Sequence, residues 1–141
     1  MPVFDIHPQL LADCHLLGRF DLCHLLLHRN AAMVWFILVP ECNVNDLLDL
    51  PEELRNSAMK EAAIVSEFVK RRLGYPKVNF ASIGNVVAQL HLHVVGRRPE
   101  DPCWPAPVWG NLQESREYRA EEIGEIVELL QRQCRLRTEF C

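Results

Sequence analysis

Seven consecutive apolar residues, Met33 to Val39 (MVWFILV), run up to Pro40. Such a run, closed by a proline, predicts a strand buried on both faces. It is far shorter than the roughly 20 residues a membrane-spanning helix needs. The segments on either side must therefore supply its cover. His7 to Leu17 predicts a short helix, with Pro8 in its first turn and Gly18 at its end. Arg19 to His28 predicts a first strand, and Arg29 to Ala32 a turn. Leu50 to Leu73 is the strongest helical segment. Asp49 and Glu52 have capping-box spacing and Pro51 falls in the first turn. Leu54, Ala58, Ala62, Val65, Phe68, Val69 and Leu73 form one apolar stripe. Gly74 closes the helix, and Lys70, Arg71 and Arg72 in its last turn complement the helix dipole.

Val78 to Ile83 and Ala88 to Val95 predict two more strands, joined through Gly84 and Asn85. Glu117 to Arg135 predicts a second long helix, acidic at its start and basic at its end. Short connections favour antiparallel pairing, because parallel strands need long crossovers. The expectation is an α+β fold with an antiparallel sheet of about five strands, a long central helix and a C-terminal helix. The chain reads as one domain over residues 1–141, with its core at about 19–110 and the last helix at about 117–136.

Charge narrows the ligand class. Lys plus Arg is 15 and Asp plus Glu is 19, a net charge of -4. That balance does not build the basic stripe that a nucleic acid duplex requires. A small anionic ligand needs only a few local donors. The N-terminus MPVFDIHPQLLAD has no basic flank followed by an apolar core, so a cytoplasmic location is expected and no membrane partner. The six cysteines (Cys14, Cys23, Cys42, Cys103, Cys134 and Cys141) contain no Cys-x-x-Cys pair and read as free thiols, mostly buried. Cys14, His15, Cys23, His24 and His28 match no common zinc spacing, so neither a metal nor a cofactor is expected.

The segment Gln89-Leu90-His91-Leu92-His93-Val94-Val95 carries the chemistry. Strand side chains alternate, so Gln89, His91 and His93 share one face, while Leu90, Leu92 and Val94 face the core. Same-face neighbours lie roughly 6.5–7 Å apart, close enough for three polar groups to meet one phosphate-sized ligand. Neutral imidazole is a good nucleophile near neutral pH. A neighbouring protonated imidazole would stabilise charge on phosphate oxygens, and an amide could donate to them. The turn at Gly84-Asn85 could add backbone N–H groups. On the pattern alone, a solvated face, half of a metal site and phosphate chemistry all stay open. His7, His15, His24 and His28 read as surface or satisfied core histidines.

The segment resembles the motif of the histidine triad (HIT) family, His-φ-His-φ-His-φ-φ with φ apolar, and matches it everywhere but the first position, where Gln89 stands. Gly84-Asn85-Val86-Val87 occupies the stretch that usually reads Gly-Gln-Ser/Thr-Val. Cys103-Trp104-Pro105 resembles the His-Trp-Pro of nucleotide-binding members. The string NVVAQLHLHVVGRRPEDPCWPAPVWG is similar to a bacterial branch with Gln-x-His-x-His, and WFILVP resembles the family's aliphatic strand. The resemblance runs from about Arg19 to Gly110. It implies a nucleoside phosphate ligand, a homodimer, and hydrolysis or nucleotidyl transfer at the α-phosphorus. The substrates it implies are dinucleoside polyphosphates, nucleoside phosphoramidates or related adenylates. His91 falls on the nucleophile and would form a nucleotidyl-histidine, its other ring nitrogen bonded to a backbone carbonyl. Gln89, His93 and Asn85 would hold phosphate oxygens. Gly84, Asn79, Asn30 and Trp104 complete the candidate nucleotide-binding set. Three departures bear on activity. Gln89 removes one titratable group. Val86 replaces a hydroxyl near the leaving group, which makes His93 the candidate proton donor. Arg29-Asn30 replaces an acidic residue that holds ribose hydroxyls. The alternatives to an enzyme are a nucleotide-binding module with little turnover, and a metal-binding structural protein using His91, His93 and a cysteine.

Overall fold

The apolar run becomes the middle of a sheet. The computed structural model describes residues 3–138, so Cys141, grouped above with the free thiols, lies outside the described residues. The elements are α1 (Pro8–Asp13), β1 (Cys14–Arg19), β2 (Cys23–His28), β3 (Trp35–Pro40), α2 (Glu52–Glu67), β4 (Lys77–Ala81), β5 (Leu92–Arg97) and α3 (Ala120–Cys134). The five strands form one sheet in the order β1-β2-β3-β5-β4, every neighbouring pair antiparallel. The α+β fold with an antiparallel sheet is therefore the observed one.

Each face of the sheet has its own core. On one face Leu25, Leu27, Phe36, Leu38, Leu92 and Val94 pack against Ala58, Ala62 and Val65 of α2 and Leu130 of α3. On the other, Leu26, Trp35, Ile37, Val39 and Val95 pack against Leu10 of α1, Val87 and Val108. Every residue of β3 is buried, because both cores reach it. A central strand covered on two sides has no solvent face to alternate onto.

Several boundaries differ from the sequence reading. The expected helix from His7 to Leu17 ends at Asp13, and Cys14 begins an edge strand whose partner is His28. Leu10, Cys14 and Leu17 are buried at helical spacing, but strand pairing to β2 satisfies the backbone groups there and overrides it. Gly18 ends no helix: it sits at a bulge in β1, where a Cβ would lie 2.3 Å from the Arg137 carbonyl oxygen. The single strand expected from Arg19 to His28 is the second half of that hairpin, with the chain turning over residues 20–22.

The long helix begins at Glu52 with Pro51 in the N-cap position, and Leu47–Asp49 forms a separate 3-10 turn. Leu50, preceding the proline, is extended at ψ 145, as a pre-proline residue is driven to be, so Asp49 cannot cap α2. The stripe buries Ala58, Ala62, Val65, Phe68 and Val69, and the helix ends in one π turn over Phe68–Arg72. The last expected strand moves from Ala88–Val95 to Leu92–Arg97. Pairing starts at Leu38↔Leu92 and Ala81↔His93, so residues 88–91 have no partner strand beside them. No helix among the described residues is long and apolar enough to cross a membrane.

Candidate functional site

The face of the sheet opposite the long helices opens into a cleft of about 330 Å³ at the start of β5, within the range of small-molecule sites. His91 and His93 form its floor with Ile37, Trp35 and His28 from the neighbouring strands. Registers Ile37↔His93 and Trp35↔Val95 put these side chains on one face. Gln9, Leu10 and Asp13 of α1 make one wall. Gly84, Asn85, Val86 and Val87 make another, and Trp109 closes a third. Gly84 turns the chain at φ +70, a conformation that glycine adopts without steric cost.

The imidazoles are held in defined tautomers. His91 Nδ1 lies 2.7 Å from the backbone oxygen of Gln89. A carbonyl only accepts, so Nδ1 carries a proton and Nε2 is the nitrogen left for a ligand. His93 Nδ1 accepts from the Trp35 indole N–H at 3.0 Å, and His28 Nδ1 accepts from the Asn30 backbone N–H at 3.1 Å. The rings of His91 and His93 are 5.0 Å apart, and Trp109 stands edge-on to His93 at 5.0 Å. His28 stacks on Trp35 at 4.1 Å. Burial, with His91 and His28 adding to it, pushes the His93 pKa down to about 3. Burial also lowers that of His28, against the opposing pull of Asp13.

Of the residues expected from sequence, His91, His93, Gly84 and Asn85 meet in this cleft. The other four are engaged elsewhere. The Gln89 amide, expected on phosphate oxygens, instead accepts from the His7 backbone N–H and donates to the Asp5 carbonyl, both at 2.8 Å. Residues 88–91 lie outside the ladder, which frees Gln89 to swing toward the N-terminal segment. Asn30, expected at a sugar hydroxyl, donates to Glu114 O and accepts from the backbone N–H groups of Ala32 and Arg116. Asn79 accepts from Arg97 Nη1 at 2.7 Å. Trp104 is 40% exposed and lies beside the Arg97 guanidinium. A protonated His93, expected as charge stabiliser or proton donor, does not fit its Trp35 hydrogen bond.

His28, Trp35, Trp109 and Asp13 belong to the cleft and were missed. Three come from other elements, and no local pattern marks them; Trp109 lies in the tail after β5 that carries Pro102, Pro105 and Pro107. Its placement depends on Arg97, which is 1% exposed. The Arg97 guanidinium donates to Asp101 at 2.8 Å and to Ala106 O at 2.8 Å. Asp101 in turn accepts from the backbone N–H groups of Arg98 and Cys103. This clamp folds the tail back over the sheet. Among the described residues, no group of three His, Cys, Asp or Glu is placed to hold a metal ion.

The arrangement offers one imidazole lone pair beside N–H donors in a half-enclosed pocket, a geometry suited to attack on an oxyanion-bearing centre. Comparison with curated proteins gave no match. A family model described as the HIT domain matches residues 9–100. A solved histidine triad protein from Marinobacter aquaeolei VT8 is 36% identical, with TM-score 0.87, covering 96% of this chain and 100% of its own. A histidine triad protein from Bradyrhizobium japonicum is 33% identical with TM-score 0.87, covering 94% and 98%. Another, from Sinorhizobium meliloti 1021, is 30% identical with TM-score 0.86, covering 92% and 96%. With the sheet, the paired imidazoles and these matches in agreement, the chain belongs to the HIT domain family.

Proposed function

We propose that this protein is a nucleotide hydrolase or nucleotidyl transferase acting at the α-phosphorus of a nucleoside phosphate through a nucleotidyl-His91 intermediate. The observation that carries the reading is the His91 Nδ1–H bond to the Gln89 carbonyl at 2.7 Å, which leaves Nε2 as the ring nitrogen available for attack on the cleft floor. His91 Nε2 attacks phosphorus, and the bond to the leaving group breaks with its electron pair. Water then attacks the phosphorus, Nε2 recovers its lone pair and the water proton passes to solvent. The His93 Nε2–H supplies a hydrogen bond to a non-bridging oxygen, with Asn85 and Gly84 beside the same oxygens. Trp35, Trp109 and Ile37 offer the nucleoside an apolar, aromatic surface. We assign the chain to the branch with Gln in the first motif position, where that residue acts outside the phosphate site.

We also propose a homodimer. The edge strand β4 has one unpaired side, and Phe80 on it and Ile83 just beyond it are exposed. Apolar side chains clustered at an open sheet edge favour pairing with another chain.

The test is His91→Ala with adenosine phosphoramidate, a diadenosine polyphosphate and an adenylate as substrates. Loss of a catalytic nucleophile is expected to lower kcat by at least about 10³-fold, with unchanged circular dichroism. Acid-labile label from a radioactive nucleotide should appear on His91 in the wild type. Label on another residue, or full activity in the variant, would reject the assignment. Stoichiometric nucleotide binding without turnover in the wild type would mark a binding module instead.

A further inference from the structure

The hydrogen bonds around the cleft fix the protonation of its rings as well as their orientation. An indole nitrogen can only donate, so the Trp35 N–H at 3.0 Å requires His93 Nδ1 to accept. A backbone amide can only donate, so the Asn30 N–H at 3.1 Å requires the same of His28 Nδ1. A second proton on either ring would set N–H against N–H. At His93 the lost bond would not be replaced by water, since the residue is 6% exposed. Resting on the nucleotidyl-histidine reading of this cleft, we propose that Trp35 and the Asn30 amide are positioning groups that hold His93 and His28 as neutral Nε2–H donors, so that the site releases leaving groups able to depart as anions and discriminates against those that must take up a proton.

The remaining cleft groups agree. His91 directs its Nδ1–H to the Gln89 carbonyl, and its Nε2 is the attacking nitrogen rather than a proton donor. Asp13, on the α1 wall, is an exposed carboxylate that accepts from the Gln9 amide. Val86 brings no hydroxyl. A neutral imidazole N–H stabilises a phosphate oxygen but is far too weak an acid to protonate a departing amine. When Nε2 of His91 bonds to phosphorus, the leaving oxygen or nitrogen takes the electron pair. A carboxylate or a phosphate is stable in that form. An alkylamine is not, and must draw its proton from bulk water. The favoured substrates are therefore mixed anhydrides of a nucleotide with a carboxylic or phosphoric acid, and nucleoside phosphoramidates of alkylamines are disfavoured.

The test uses the full chain and three compounds sharing one adenylyl group: the p-nitrophenyl ester of AMP, its phenyl ester, and an AMP N-alkyl phosphoramidate. In the wild type the nitrophenyl ester should exceed the other two in kcat/KM, which reports the step that expels the leaving group, by about 10²–10⁴-fold, the contribution a general acid would otherwise make. Trp35→Phe keeps the ring but removes the donor. In that variant the ratio should narrow as pH falls below about 6.5, the ordinary imidazole value. The ratio is read within each protein, so a general loss of activity cancels. Comparable rates on all three compounds in the wild type, or an unchanged ratio in Trp35→Phe, would overturn the inference while leaving the nucleophile assignment intact. Failure of the wild type on every compound would instead count against the nucleotidyl-histidine reading. Nitrogen-15 spectra of the ring nitrogens decide the protonation question without turnover. His93 and His28 should both hold the Nε2–H tautomer below the ordinary imidazole value of about 6.5, and either ring titrating at its ordinary value would overturn the proposal.

Discussion

His93 is a buried imidazole whose proton affinity the fold suppresses, and this has a consequence for stability. Its pKa is pushed down to about 3, first by burial and then by His91 and His28, while an unfolded chain titrates near 6.5. Between these values the unfolded state binds a proton that the folded state does not. Stability is therefore fully present above about pH 6.5 and falls as pH drops toward 3, by up to about 1.4 kcal/mol per unit for one such group. Urea unfolding at pH 7, 6 and 5 should show a shallower decline in His93→Gln than in the wild type; parallel declines would contradict the account. Gln89 supports a second prediction. Its amide uses both its donor and its acceptor on the backbone of residues 5 and 7. Gln89→Glu keeps the acceptor and loses the donor, and Gln89→Ala loses both, each bond contributing about 0.5–1.5 kcal/mol. Hydrogen exchange at the His7 amide should accelerate most in Gln89→Ala. Unchanged exchange there would show that the N-terminal segment is held by something else.

Among the elements, β5 and the tail that follows it depend on one buried ion pair. Arg97 and Asp101 are both nearly inaccessible and lie 2.8 Å apart. Removing one partner leaves the other charge buried and uncompensated, so Arg97→Met is expected to cost about 3–5 kcal/mol in denaturant unfolding. A loss below about 1 kcal/mol, the value of an exposed pair, would contradict the clamp. At β1, Gly18→Ala forces a methyl against the Arg137 carbonyl at 2.3 Å. The obstacle is backbone held by the Arg19–Arg137 bridge, so the cost should reach at least about 1–3 kcal/mol. A thermal midpoint equal to that of the wild type would show that the bridge yields.

For the whole molecule, the exposed edge at β4 and its apolar surroundings set the expected assembly. Sedimentation of the wild type should give twice the chain mass of 16.3 kDa, and Phe80→Glu, placing a charge on the open edge, should shift it toward the monomer. A wild type that sediments as a monomer at micromolar concentration would refute the proposed dimer. At this scale the chain also joins two cores across one sheet. The cleft sits on the face covered by short pieces, α1 and the proline-rich tail, where packing leaves a hollow. The face under the two long helices carries the larger apolar core.

The alternation from Leu90 to Val95, the apolar run at β3 and the stripe on α2 were readable because each expresses a local period that burial on a known side must obey. The same periodicity put His91 and His93 together opposite Leu92 and Val94, so the chemical half of the cleft was visible in one short segment. Its other half was not. His28 and Trp35 arrive through antiparallel registers, and Asp13 and Trp109 through segments that no strand pattern connects to β5. Gln89 shares the alternating pattern yet leaves the shared face, because the pairing of β5 with β3 and β4 begins only at Leu92 and His93 and an unpaired backbone is free to turn. Local side-chain period is a property of the chain alone, whereas which side chains meet across strands, and which donor reaches which ring nitrogen, is settled only when distant backbones pair.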